Sequence, residues 1–266
     1  MISEDENITI AFAGGTDRGK VRKRNEDSIL LCEFEHSDVK LFVVADGVGG
    51  HEGGAVASKL AVDSIKNCVE KSILQVNSGG GYTENWLSNT LQQAIEEANQ
   101  KIVEQQVQTQ FSQMATTVVA MLIKNDGIVL SHLGDSRCYQ FREKQIEQLT
   151  QDHTMLQKLL DEGDIDQKQF DTSPMHHIIS QALGLKKQPS VVVRPLGPGD
   201  DLMFLLCSDG LTNCISDAQI HYVMSTEKNL DACVDELITR ANDHGGIDNI
   251  SAVLVKINRN SSHGSV

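Results

Sequence analysis

The order of the predicted strands and helices constrains the fold of this chain most strongly. Three strand-like runs come first, at residues 8–13, 28–34 and 39–46. Two helices follow, at about 52–75 and 84–107, and each has a single apolar stripe. A stripe of this kind must lie against a sheet face, and two packed sheets with helices outside would cover both stripes.

The rest of the chain continues this pattern. Strands mostly follow strands without a crossover helix, so we predict largely antiparallel sheets and an α+β fold class. The 266 residues fit one domain, placed at residues 1–257, with a disordered tail at 258–266. The further elements are strands at 116–123, 128–133, 137–141, 145–149, 191–194, 201–207 and 250–257, a polar and weakly helical excursion at 154–171, and a helix at 229–241.

Charge and composition exclude several classes of protein. The net charge is −14, and one short basic cluster at residues 18–24 is too small to grip a nucleic-acid backbone. No apolar run approaches the ~18–20 residues needed to cross a bilayer. The first residues are acidic where a signal peptide would be basic, and the six cysteines show no CxxC spacing. We therefore expect a monomeric cytoplasmic protein with reduced cysteines that binds neither membranes nor nucleic acids.

The most informative local feature is an apolar strand that runs into an aspartate beside a glycine. It occurs at Asp46, Asp209 and Asp135, and Asp248 stands just before the last strand. One such aspartate is usually a turn former. Four of them on the strands of one small domain would repel each other unless cations lay between them.

The types of residue available indicate which cation this would be. There is no HExxH, because His51–Glu52 is followed by two glycines, and the adjacent His176 and His177 would diverge. Ligation by carboxylates, a backbone carbonyl and water suits Mg²⁺ or Mn²⁺. Two such ions ~3.5–4 Å apart could activate a water for displacement at phosphorus.

A basic stretch, TDRGKVRKRNEDS, lies near the start of the chain. Its Arg18, Arg22 and Arg24 stand beside Glu26 and Asp27, and a guanidinium can bind a phosphate dianion bidentately. A solvated charged turn is the alternative interpretation.

The segment GGTDRGK, which overlaps this basic stretch, matches the G-x-x-x-x-G-K part of a nucleotide-binding loop. Val21 stands where a Ser or Thr would have to reach Mg²⁺, and Asp17 would place negative charge among the phosphates. No amphipathic helix follows, so we reject a nucleotide site.

Taken together, these segments resemble the bacterial type of PP2C (PPM) metal-dependent serine/threonine protein phosphatases. Eight motifs follow the family order from about residue 9 to residue 257. They are TDRGKVRKRNEDS, ADGVGGHEGG, MATTVVAMLI, LGDSRCYQFR, LTQDHTM, IISQALG, LLCSDGLTNCI and GGIDNISAVLV.

The resemblance implies an α-β-β-α sandwich with a metal centre at one edge of its sheets. By motif position, Asp46 resembles the carboxylate that bridges two Mn²⁺ or Mg²⁺ ions, and Gly47 offers a backbone carbonyl. Asp209 and Asp248 match the other ligands of the first ion. Asp135 matches the acid that, with Asp209, can hold a third and looser ion.

Further roles are also implied by resemblance alone. Arg22 has the family spacing for the phosphate-binding arginine, Glu26 and Asp27 would orient metal-bound waters, and Asn249 lies beside the site. A metal-activated water would attack phosphoserine or phosphothreonine directly, without a phosphoenzyme. The partners implied are phosphorylated proteins, with a Ser/Thr kinase or its targets among them.

One position departs from the family, and one segment varies within it. Val48 replaces the histidine that eukaryotic relatives carry after Asp-Gly, so resemblance identifies no general acid. Residues 152–175 correspond to the flap beside the metal site, which we expect to influence substrate access.

Two other functions stay open at this point. A catalytically inactive binding or regulatory module is disfavoured because all four ligand aspartates are present. A small-molecule phosphohydrolase would recognise phosphate in the same way.

Overall fold

Two five-stranded antiparallel sheets form the centre of the protein. The computed structural model describes residues 7–49, 52–109, 114–125, 127–142, 145–173, 175, 178–197 and 202–260. The first sheet has the order β1-β12-β11-β8-β9 and the second the order β10-β7-β6-β3-β2, while β4 and β5 form a small separate pair. The strands are β1 Asn7–Asp17, β2 Ser28–Glu33, β3 Val39–Ala45, β4 Gly47–Val48, β5 Ala115–Thr116, β6 Val118–Lys124, β7 Gly127–Leu133, β8 Arg137–Arg142, β9 Gln145–Gln148, β10 Val193–Leu196, β11 Leu202–Cys207 and β12 Ile250–Asn260.

Helices cover the outer face of each sheet. The two long helices pack on the second sheet, and the carboxyl-terminal helices pack on the first. The helices are α1 Glu52–Gln75, α2 Trp86–Gln108, α3 Met155–Glu162, α4 Gln167–Thr172, α5 Asp209–Thr212, α6 Asp217–Thr226 and α7 Leu230–Asp243, and a π-helical turn at Val76–Gly80 follows α1. No helix in the described part of the chain is long and apolar enough to span a membrane.

The central strands are almost entirely apolar because both of their faces are covered. Alternate side chains of β3 divide between two cores: Leu41 and Val43 face the helices, whereas Phe42 and Val44 face the opposite sheet. The inter-sheet core also includes Phe204 of β11. Three cores in four layers therefore produce the α-β-β-α sandwich and confirm the predicted α+β class.

Most predicted elements are present. Strand β4 and the short helix α5 were not predicted, and three further differences concern longer segments. Helix α6 was not predicted, although Ser216 and Gln219 form a capping box at its start. Strand β12 continues to Asn260, which pairs with Asn7 of β1, so residues 258–260 belong to the sheet and not to the predicted tail. Residues 261–266 lie outside the described part. The polar segment at 154–171 forms the two short helices α3 and α4.

Candidate active site

One edge of the sandwich collects the predicted site residues, because the chain repeatedly passes from sheet to sheet there. Asp27 precedes the pair Ser28–Ala45 between β2 and β3, and Asp46 directly follows it. Asp135 lies in the turn that joins β7 of the second sheet to β8 of the first. Asp209 begins α5 just after β11, and Asp248 precedes β12, whose Ala252 pairs with Cys207 at the end of β11. Strand register therefore brings together acids that are far apart in sequence.

The carboxyl groups at this edge affect one another's ionisation. Burial, followed by the charges of Asp27, Asp209 and Asp135, raises the pKa of Asp46 well above its usual value. Burial and then the charge of Asp248 raise the pKa of Asp209. Burial and then Asp209 raise the pKa of Asp135 to about 7. Each of the four predicted ligand aspartates thus lies within electrostatic reach of at least one other, and Asp209 interacts with all three.

Two serine hydroxyl groups donate hydrogen bonds to the carboxylate of Asp27. Its Oδ2 accepts hydrogen bonds from Ser208 Oγ at 2.8 Å and from Ser251 Oγ at 2.6 Å. Burial raises the pKa of Asp27 to about 7, and these two hydrogen bonds oppose that rise. The carboxyl group of Asp27 therefore has a fixed position close to Asp46 and Asp209.

Three buried carboxylate oxygens have no hydrogen-bond partner among the described residues. They are the Oδ1 atoms of Asp27, Asp135 and Asp209. A buried polar atom without a partner costs about 1–3 kcal/mol, and more when it is charged. Hard divalent cations and ordered water satisfy such oxygens. The donor set therefore fits Mn²⁺ or Mg²⁺.

The acids interact electrostatically, but among the described residues their side chains are not arranged to coordinate a metal ion. As the side chains stand, no three of the described Asp, Glu, His and Cys residues form a group that could hold one ion. One reason is that Asp248 has other partners. Its Oδ2 accepts from Arg22 Nη2 at 2.6 Å, and its Oδ1 accepts from the backbone N–H of Asn249 at 2.8 Å. Cation binding would require small side-chain movements here.

The glycines beside the acids allow close backbone approach. A Cβ on Gly47 would lie 2.3 Å from the carbonyl oxygen of Gly54 and 2.6 Å from that of Glu26. A Cβ on Gly210 would lie 2.0 Å from the carbonyl oxygen of Asn249. The recurring Asp-Gly pattern thus has a physical cause, since only glycine fits where these backbones meet.

Two threonines fix the turn that carries Asp46. The backbone N–H of Asp46 donates to Thr117 Oγ1 at 3.0 Å, and its carbonyl accepts from Thr116 Oγ1 at 2.8 Å. Thr117 Oγ1 also lies 2.7 Å from the hydroxyl of Ser136, the neighbour of Asp135. The MATTVVAMLI segment therefore positions two predicted ligands, a role that its sequence did not indicate.

Asn249 connects the basic segment at residues 18–24 to the site. Its side-chain nitrogen donates to the carbonyl oxygens of Arg18 at 2.8 Å and Arg24 at 2.9 Å, and its Oδ1 accepts from the backbone N–H of Glu26 at 2.8 Å. Asn249 is 4% exposed. One buried amide thus pins both ends of residues 18–24 and the start of the acidic pair Glu26–Asp27.

A cleft of about 760 Å³ opens over these residues. Arg137 and Asp152 form a bidentate ion pair on its wall, with Nε–Oδ1 at 2.9 Å and Nη2–Oδ2 at 2.7 Å. Their contribution to the site was not predicted, although Arg137 belongs to the GDSR segment. The lining residues are Arg22, Asp135, Arg137, Asp152, Thr154, Phe170, Asp209, Thr212, Asn213, Ile247 and Asp248.

Val48 and three histidines are the remaining residues that the sequence analysis considered. Val48 lies in β4 immediately after Gly47, so the position of the eukaryotic histidine holds no titratable group. His51, His176 and His177 lie outside the described residues.

Comparisons with known proteins agree with this architecture. The sequence model of the family described as "Protein phosphatase 2C" matches residues 15–255. The serine/threonine phosphatase Stp of Listeria innocua is 35% identical over 247 residues, which cover 91% of this chain and 94% of that protein. The structure of a serine/threonine phosphatase from S. agalactiae is 31% identical with a TM-score of 0.81, and the match covers 93% of this chain and 99% of that one. The catalytic domain of the serine/threonine phosphatase PstP, solved in complex with two manganese ions, is 30% identical with a TM-score of 0.77, over 95% of this chain and 100% of that one. With its motifs in family order, its sandwich fold and its acids gathered at one edge, this chain belongs to the protein phosphatase 2C family.

Proposed function

We propose that this chain hydrolyses phosphoserine and phosphothreonine in proteins, with two Mn²⁺ or Mg²⁺ ions and room for a third. The observation that carries the proposal is a set of buried oxygens, on Asp27, Asp135 and Asp209, that have no hydrogen-bond partner among the described residues. Asp135 and Asp209 line a cleft that also exposes Arg22. Hard cations and a phosphate dianion are complementary to these two kinds of group.

The residues that would hold the ions are those that the family pattern indicates. Asp46, Asp209 and Asp248, with the carbonyl oxygen of Gly47, would hold the two core ions, and Asp135 with Asp209 would hold the third. When bound, such ions lower the pKa of water and stabilise negative charge on phosphoryl oxygens.

Arg22 would receive the phosphate. About 52% of its side chain is exposed, and its contact with Asp248 uses only Nη2. Its Nε and Nη1 make no hydrogen bond with the described residues, and each forms a bidentate edge with Nη2, so a phosphate that displaces Asp248 from Nη2 could accept from two guanidinium nitrogens. The guanidinium would orient the phosphoryl group and stabilise its charge in the transition state.

Asp27 and Glu26 would position the attacking water. Asp27 is fixed by Ser208 and Ser251, and the backbone of Glu26 is fixed by Asn249. A carboxylate held as that of Asp27 is can accept a hydrogen bond from water and direct the oxygen lone pair toward phosphorus, and the fixed backbone of Glu26 would keep its side chain nearby.

The buried thiol nearest to the site in sequence is unsuited to act as a nucleophile. Burial raises the pKa of Cys207 to about 12, so the thiolate is scarce at neutral pH. Because Cys207 is a poor nucleophile, we propose that water attacks phosphorus directly, without a phosphoenzyme.

The flap, residues 152–175, is proposed to control access to the cleft. It contains α3 and α4, and Phe170 of α4 lines the cleft. It leaves the core at Thr154, which forms an isolated bridge with Ile179. A segment attached at so narrow a base can move relative to the sheets.

The cellular setting follows the sequence-based expectations. We propose a monomeric cytoplasmic enzyme, formed by one domain at residues 1–257, whose partners are phosphorylated proteins and a Ser/Thr kinase or its targets. We expect no interaction with nucleic acid or membranes.

The test is hydrolysis of p-nitrophenyl phosphate and of a panel of phosphopeptides, nucleotides and sugar phosphates, each with Mn²⁺ and with EDTA. We expect metal-dependent turnover that favours phosphopeptides in kcat/KM. Preference for a small metabolite would indicate a small-molecule phosphohydrolase. Absence of turnover in both buffers would indicate a binding module.

A further inference from the structure

The most basic segment of this acidic protein lies on the rim of the cleft. Residues 18–24 contain five cationic side chains and no acid, in a chain with a net charge of −14. We call this segment the basic loop. Its Arg22 lines the cleft, but the proposed phosphate contact needs only that one cation. The other cations have no role in the chemistry described above.

The basic loop is a fixed structure. Asn249 donates to the carbonyl oxygens at both of its ends, Arg18 and Arg24. Between them, the backbone N–H groups of Lys20 and Val21 donate to the carbonyl oxygen of Gly246 at 2.8 and 3.2 Å. The backbone that carries the positive charge is therefore held next to the cleft, and only the side chains need to become ordered when a partner binds.

The acids beside the loop already have partners, whereas two of its cations have none. Asp17 accepts from Gly19 and Asn242, Asp243 pairs with Lys20, and Asp248 pairs with Arg22. Arg18 and Lys23 are exposed and form no ion pair with any residue that the structure describes. Neither lines the cleft itself, but both belong to the loop whose Arg22 does, so their charge is available to a substrate that extends from the cleft over its rim.

Apolar surface accompanies this charge. Val21 is 65% exposed and Ile247, which lines the cleft, is 53% exposed. The backbone N–H of Val21 donates to the carbonyl oxygen of Gly246, the neighbour of Ile247, so the two exposed apolar residues lie on adjoining stretches of backbone. A free phosphate or a sugar phosphate has nothing to place on this surface, whereas a peptide has side chains that can contact it.

We propose that the basic loop selects phosphopeptides that carry aspartate or glutamate close to the phosphorylated residue. Arg18 and Lys23 would attract these carboxylates while Arg22 contacts the phosphate. This inference rests on the proposed function, of which it specifies the substrate class. Because the contacts are exposed, they contribute to binding and not to the chemical step.

The test compares two phosphothreonine peptides of equal length, one with acidic and one with Gln and Asn flanking residues. In Mn²⁺ at low salt, we expect kcat/KM to be about threefold to tenfold higher for the acidic peptide, through KM. In the double variant Arg18→Gln/Lys23→Gln the ratio should fall to about 1–2. High salt should lower the wild-type ratio in the same direction.

The matched control is Lys71→Gln/Lys228→Gln, which removes two exposed cations outside the basic loop, one in α1 and one between α6 and α7. It should keep the wild-type ratio. Equal ratios in the wild type and the Arg18/Lys23 variant would overturn the inference, as would an equal loss for both peptides and p-nitrophenyl phosphate. If p-nitrophenyl phosphate turnover is absent in the wild type, the proposed function itself fails.

Discussion

Neutralising Asp135 should stabilise the metal-free protein, and the effect should depend on pH. Asp135 is 6% exposed, and burial followed by the charge of Asp209 raises its pKa from 3.8 to about 7. The folded state therefore holds a proton on this carboxyl group more tightly than the unfolded state does. By linkage, this group makes stability fall as the pH rises from about 4 to about 7, and above that range its penalty is constant.

The magnitude follows from the difference between the two pKa values. About 7 minus 3.8 is about 3, and each pH unit is worth 1.36 kcal/mol, so the penalty at pH 8 is at most about 4 kcal/mol. The repulsion is shared with Asp209, which lowers the part that one substitution can recover. We expect Asp135→Asn to raise the free energy of unfolding by about 1–3 kcal/mol at pH 8 and by less than about 1 kcal/mol at pH 4.5.

The assay is urea unfolding in EDTA at both pH values, with Asp235→Asn as the control. Asp235 is an exposed acid on α7, and its replacement should change stability by less than about 0.5 kcal/mol at either pH. If Asp135→Asn is no more stable than the wild type at pH 8, or if its gain is the same at both pH values, burial and the neighbouring charge do not destabilise the ionised Asp135 in the metal-free protein.

Three further predictions follow from the site and its supports. Asn249→Ala should lower the free energy of unfolding by about 2–4 kcal/mol in urea titrations, because it leaves two carbonyl groups and one N–H without their partner; a loss below about 0.5 kcal/mol would contradict the role of Asn249 in closing the loop. Arg22→Lys should raise KM for p-nitrophenyl phosphate about tenfold, because the charge stays and the bidentate geometry is lost; an unchanged KM would remove Arg22 from phosphate binding. Burial lowers the pKa of His153 to about 4, so the stability that this group contributes above pH 6.5 is lost as the pH falls toward 4. In His153→Gln, the decrease in the free energy of unfolding between pH 6.5 and pH 4 should be smaller by about 1–3 kcal/mol, and an unchanged pH profile would refute this.

The sandwich could be predicted from sequence because its signals are local. Continuous apolar strands such as β3 and β6 indicate sheets covered on both faces, and α1 and α2 each present one apolar stripe. Helix α6 was missed although the Ser216 capping box marked its start, because its apolar residues show little helical periodicity. The extent of β12 beyond residue 257 depends on pairing with β1, a contact between opposite ends of the chain.

The candidate site was only partly predictable. The Asp-Gly pattern indicated Asp46 and Asp209, and the structure explains it through backbones that approach too closely for any Cβ. The partnership of Arg22 with Asp248 spans 226 positions and has no local signal. The same holds for Asn249 and for the serines beneath Asp27, whose roles arise only when two sheets bring distant turns together.

The central claim is that aspartates from distant parts of the chain share hard divalent ions that the reaction needs. The most direct measurement is calorimetric titration of wild type and Asp209→Asn with Mn²⁺, combined with p-nitrophenyl phosphate turnover at saturating Mn²⁺. We expect the wild type to bind at least two ions. The variant should remain folded, melt at a higher temperature than the wild type in EDTA, bind fewer ions and lose turnover by at least about 100-fold. Wild-type turnover and ion stoichiometry in Asp209→Asn would contradict the account.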